Sequence, residues 1–175
     1  MKPEQLDRTL PEAQFVGYVL DQLRDVVVSL DTDQYKCSQV TTFGGSIGGH
    51  VRHCLDHIAA LITGADTGVI DYDHRERGTD IETNPVAAMA EVDRLASLLA
   101  DLPSDITDRE VQVHVMLSTD GSVTRLGSTI GRELAFVLSH TIHHGAMIAG
   151  MVRALGGDVP TGFGLAPSTI AYRNS

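Results

Sequence analysis

The sequence predicts an all-α fold, four helices with a small β-hairpin inserted before the last. Three observations predict it. Four segments repeat apolar residues at helical spacing. Residues 110–127 instead alternate with period two around Asp120-Gly121, the pattern of two strands and a turn. Six of the eight histidines fall in two of the helical segments, which makes sense if those two helices face each other.

The bulk numbers bound the answer. At 175 residues the chain is long enough for one domain, residues 1–175, with a substantial core. Its 42% hydrophobic and 21% charged content is ordinary for a folded protein. A net charge of −10 argues against nucleic acid or an anionic membrane as a partner. Two cysteines, Cys37 and Cys54, make no disulfide framework and read as free thiols. The opening residues lack the apolar core of a secretion signal, so a cytoplasmic location is expected.

Taken in order, residues 1–10 read as a polar lead-in. Pro11 opens the first helix, in which Phe15, Val16, Val19, Leu23, Val26, Val27 and Leu30 form the apolar stripe. Residues 31–45 read as a loop. Ser46 is a suitable N-cap for the second helix, which Gly64 is expected to stop. Gly48 and Gly49 weaken the first turn of this helix, a cost that makes sense if another backbone or a ligand comes close. Residues 64–83 read as a long charged loop, with Tyr72, Asp73, His74, Arg75 and Arg77 as candidates for substrate contact. Asn84-Pro85 starts the third helix as N-cap and N1, and Pro103 closes it. In the hairpin Val111, Val113, Val115 and Leu117 alternate with Gln112, His114, Met116 and Ser118, which puts His114 on the polar side. Ser128 or Thr129 then caps the last helix, which runs to Leu155. The tail, residues 156–175, shows no helical period. Its Phe163, Leu165, Ile170 and Tyr172 are expected to pack on the bundle or on a second subunit.

The chemistry lies in the second and fourth helices. Between Leu134 and Val152 the last helix carries no Asp, Glu, Lys or Arg, yet it holds His140, His143 and His144. A buried neutral imidazole has a donor and an acceptor to satisfy, so three in five residues need partners. His140 and His144 are one turn apart and project from one face, the spacing at which two rings can hold one metal ion. The second helix carries His50, His53 and His57 on one face. If the two faces meet, they build a three-histidine metal site. The plainer alternative is a set of core and surface histidines bonded to backbone or carboxylates.

Two stretches, SIGGHVRHCLDH at 46–57 and RELAFVLSHTIHHGAMI at 132–148, resemble the DinB/YfiT-like superfamily of metalloenzymes. The resemblance implies an antiparallel four-helix bundle and a divalent metal, zinc or nickel, held by three histidines. It places the last-helix pair on His140 and His144 and the second-helix ligand on His53, with His50 and His57 sharing that face. The family motif continues with arginine and glutamine after its histidines, where this chain has Gly145-Ala146-Met147. Relatives with known activity include thiol-cofactor-dependent transferases and a maleylpyruvate isomerase, so a low-molecular-weight thiol joins the metal as an expected cofactor.

Three histidines on a divalent ion leave a position open, the mark of a catalytic site. Helpers would be Asp56, His57, Glu133 and His143. Glu133 lies two turns before His140 and can orient a ring nitrogen, or it can serve as a first-turn acid that favours the helix dipole. Asp56 can accept a proton, or pair with Arg52 four residues earlier. The expectation is a metal-dependent transferase or hydrolase acting on a small molecule, in a homodimer. The alternatives are a non-catalytic metal-binding or stress-linked bundle, and a plain dimeric bundle without metal.

Overall fold

The computed structural model describes residues 11–38, 44–74 and 78–175. The expected lead-in at 1–10, part of the 31–45 loop, and the loop candidates Arg75 and Arg77 lie outside the described residues.

Four long helices surround the core: α1 (Pro11–Val28), α3 (Ile47–Thr67), α4 (Pro85–Ala100) and α5 (Ile130–Ala154). Two short helices, α2 (Thr32–Lys36) and α6 (Pro167–Arg173), three strands, β1 (Val69–Asp71), β2 (Glu110–Met116) and β3 (Val123–Thr129), and two 3-10 turns, Asp80–Glu82 and Ile106–Asp108, complete the described elements. α1 packs against α4 and α5, and α3 packs against α5 and α4. Leu20, Leu23, Leu55, Ile58, Leu61, Leu95, Leu99, Leu134 and Val137 are buried between them. Burying each of these branched side chains stabilises the fold by about 1.5–3 kcal/mol before entropy is counted.

The all-α four-helix bundle with an added hairpin is therefore corrected. The hairpin exists, with Val113 opposite Leu126 and Gly121 at its turn in the left-handed region (φ +81°). But β1 pairs with β2 in parallel, Ile70 beside Val113, so the element is a three-stranded mixed sheet of order β1-β2-β3. A strand of three residues shows no alternation, so its sequence reads as loop. Ile70 is nonetheless fully buried.

The remaining corrections have local causes. α3 runs past Gly64 to Thr67, and Gly68 ends it at φ +81°, the conformation that glycine adopts without penalty. Gly64 is small for a different reason: a Cβ there would overlap the Ile70 side chain. Within the expected 31–45 loop, Asp31 and Gln34 form a capping box that starts α2 and seats Tyr35 in the core. The expected 64–83 loop holds β1 and a 3-10 turn, Asp80–Glu82. The tail is not without helix, since Pro167 opens α6. In the tail Phe163 is buried, and a Cβ on Gly145 of α5 would meet it, while Ile170 and Tyr172 are exposed.

The caps agree with the reading. Ser46 accepts from Gly49 N, Asn84 from Val86 N with Pro85 at N1, and Thr129 from Arg132 N. Both cysteines are free thiols, Cys54 fully buried. No described helix is long and apolar enough to cross a membrane.

Gly17 lies within α1, and a Cβ there would meet nothing. Gly17→Ala is therefore expected to stabilise the protein by about 0.5–1 kcal/mol, because alanine is the better helix former and no contact opposes it. A thermal midpoint at or below wild type would show that this turn of α1 tolerates no side chain.

Candidate metal centre

α3 and α5 bring their histidine faces together. His53, His57 and His140 each offer one ring nitrogen, and these atoms lie within 4.8 Å of one another. His53 Nε2 and His140 Nε2 are 2.9 Å apart. That distance suits a hydrogen bond between neutral rings. Two nitrogens that each lie about 2.1 Å from a shared ion would be this far apart at an angle of about 90°, narrower than the tetrahedral one. His57 Nδ1 lies 2.9 Å from the carbonyl oxygen of His53 and donates to it. This fixes the tautomer and leaves Nε2 as the lone-pair nitrogen of His57, the arrangement usual for a metal-ligating histidine. The His57 ring stacks on that of His140, with centroids 4.3 Å apart.

A second pair adjoins the first. His50 Nδ1 and His144 Nδ1 are 3.0 Å apart, and the His144 ring centroid is 4.6 Å from those of both His53 and His140. A cleft of about 310 Å³ opens beside them, lined by Gly44, Gly45, Gly49, His50, Arg52, His53, Glu82 and His144. Glu82 lies 3.4 Å from Arg52 Nε in its wall.

Burial sets the charge state. It holds the His144 ring at a pKa of about 4, with the neighbouring histidines, His140 first, adding repulsion. Burial also lowers His50, partly offset by the Gly44 backbone. Both rings are therefore neutral at pH 7, the form that can offer a lone pair. The sign for stability follows. A folded-state pKa below the ordinary 6.5 stabilises the fold above 6.5, and that stability is lost as pH falls from 6.5 through about 4. The thermal midpoint of metal-free protein is expected to fall over that interval, and His144→Ala to flatten the fall. An unchanged pH profile in the variant would show that His144 contributes nothing to it.

The structure places each expected residue as follows. His53 and His140, expected as ligands, stand in the three-histidine group. His57, expected as a helper, completes it. His144, also expected as a ligand, lies against the group and pairs with His50. His143 is exposed, its ring centroid 5.6 Å from that of His144. Asp56 lines a different cleft, of about 420 Å³, with Thr63, Asp71 and His74. Arg52, named as its alternative partner, makes an ion pair with Glu82. Glu133 is 2% exposed and accepts hydrogen bonds from Tyr72 Oη at 2.8 Å, Ser128 Oγ at 2.6 Å and Arg132 at 3.1 Å. Burial and the Glu133 hydrogen bond raise the Tyr72 pKa above its usual value.

Among the loop candidates, Tyr72 is buried and stacks on His57, with centroids 5.1 Å apart at 12°. Asp73 accepts from Met116 N at 2.6 Å, and His74 is exposed. His114, read as lying on the polar side of the hairpin, is half-buried. Glu82 was not foreseen, because it sits in a charged stretch with no periodicity to mark it.

No protein-family profile matches the chain. A DinB-like protein of Bacillus subtilis, YjoA, has a crystal structure that superposes with a TM-score of 0.61 at 19% identity, covering 86% of this chain and 98% of that one. The chain thus has a DinB-like fold, as the resemblance of its two histidine segments implied. A stretch of 105 residues, 59% of the chain, is 30% identical to FK506-binding protein 5 of Rhizopus delemar. The match spans 27% of that protein's length.

Proposed function

We propose that the protein is a divalent-metal-dependent enzyme whose ion is held by His53, His57 and His140. The observation that carries this reading is the convergence of three ring nitrogens within 4.8 Å at a site that adjoins a cleft. A metal that served only to staple helices would be enclosed by four protein ligands. Among the described residues three histidines converge, and the cleft reaches the centre through His53, which lines it. When bound, the ion supplies Lewis acidity, lowering the pKa of a water or thiol that occupies its open position.

The chain's own residues do the rest. The His53 carbonyl holds the His57 tautomer. His50 and His144 line the cleft as neutral rings. Arg52 and Glu82 offer opposite charges at its wall. A cleft of about 310 Å³ suits a small molecule, at the lower end of the usual range. Either a low-molecular-weight thiol in a transferase or a water in a hydrolase fits these residues. Imidazole ligands suit zinc and nickel alike.

Elemental analysis of protein carrying no histidine tag tests the reading. About one equivalent of zinc or nickel per chain is expected after loading and desalting. Protein that retains no divalent metal after this treatment would overturn the proposal. His50, His53, His57, His140 and His144 would then be partners of one another between α3 and α5.

A further inference from the structure

We infer that Tyr72 and Glu133 form a strut that positions His57 for metal binding, an inference that rests on the metal-centre reading above. His57 Nδ1 donates to the His53 carbonyl, which fixes the tautomer, and the plane of the ring is set by the rings that stack on it. The face of the ring away from His140 is covered by Tyr72, nearly parallel at 12°. Tyr72 comes from the turn after β1, an irregular segment that cannot by itself hold a ring in place. Its hydroxyl is tied instead to Glu133 at 2.8 Å.

Glu133 makes a firm anchor. It sits in the first turn of α5, where a carboxylate is favoured by the helix dipole. Ser128 and Arg132 hold its other oxygen. The chain of contacts thus runs from the start of α5 through Tyr72 to His57, and returns to α5 at His140. Tyr72 is in this sense a positioning residue. Its hydroxyl is turned to Glu133 rather than to the ion.

Titration with Co²⁺ tests the strut, read as a dissociation constant and as the visible absorption of the bound ion. Tyr72→Phe keeps the stack and removes the tether, and is expected to weaken binding roughly 3–10-fold. Tyr72→Leu removes the stack as well. It is expected to weaken binding by about 10–100-fold, the usual effect of losing a partner that orients a metal ligand, and to shift the absorption band. A merely structural role would lower the thermal midpoint of metal-free protein without moving the spectrum. If both variants bind Co²⁺ with wild-type affinity and spectrum, the strut is refuted while the metal centre stands. If the wild-type protein binds no Co²⁺, the metal-centre reading itself fails. Tyr72→Phe is close to isosteric, so the result does not depend on whether Tyr72→Leu folds.

Discussion

His140→Ala is expected to abolish stoichiometric metal binding, and His57→Ala to weaken it by more than the 10–100-fold that an orienting partner is worth. His144→Ala is expected to leave the ion in place. The difference follows from geometry: among the described residues, His53, His57 and His140 are the three whose nitrogens converge within 4.8 Å. Loss of His140 removes the one member of the group that α5 supplies, leaving two ligands from a single helix. Metal content and affinity of the three variants, measured on the same preparation, decide the set. If His144→Ala loses its metal and His57→Ala keeps it, the ion belongs to His53, His140 and His144. That is the arrangement the family resemblance implies, and His57 would then be an outer partner.

This ambiguity shows what the sequence carries and what it cannot. Period 3.6 marked all four long helices, because each buries one face, and period two marked the hairpin, where Val111 and Val113 of β2 are the buried positions. The caps at Ser46, Asn84 and Thr129 were legible for the same local reason. β1 was not, since Val69–Asp71 is too short to show a period and is specified by its parallel partner, β2. α2 carried a readable signal, the Asp31–Gln34 capping box, but five residues hold too little periodicity to outweigh the surrounding polar run. The histidine faces were visible on each helix separately. Which of His50, His53 and His57 meets His140 depends on how far α3 slides along α5, and sliding is fixed by core packing between distant segments. Glu133 was legible as a candidate but not in its role. The Tyr72 hydroxyl that it binds comes from 61 residues earlier in the chain.

Gly48→Ala is expected to destabilise the protein by about 1–3 kcal/mol, although alanine is the better helix former by roughly 1 kcal/mol. Gly48 lies in the first turn of α3, where helix propensity alone would favour replacement. A Cβ at this position, however, would overlap the Glu82 carbonyl oxygen and sit 2.6 Å from Tyr35 Cε1. The carbonyl belongs to the backbone of the Asp80–Glu82 turn and cannot rotate away as a side-chain end would. Tyr35 is equally constrained: it is fully buried, and its hydroxyl donates to the Ile81 carbonyl at 2.8 Å. Gly48 is thus the point at which α2, α3 and the 3-10 turn touch, the close backbone approach that the paired glycines suggested. For a chain of this size the thermal midpoint should fall by roughly 2–12 °C, while Gly17→Ala moves it the other way. A midpoint for Gly48→Ala at or above wild type would show that the turn yields. The consequence reaches the cleft as well. Glu82 lines it and pairs with Arg52, so displacing the turn by the width of a methyl group should weaken whatever small molecule binds there more than it weakens the metal, whose three ligands lie farther along α3 and on α5.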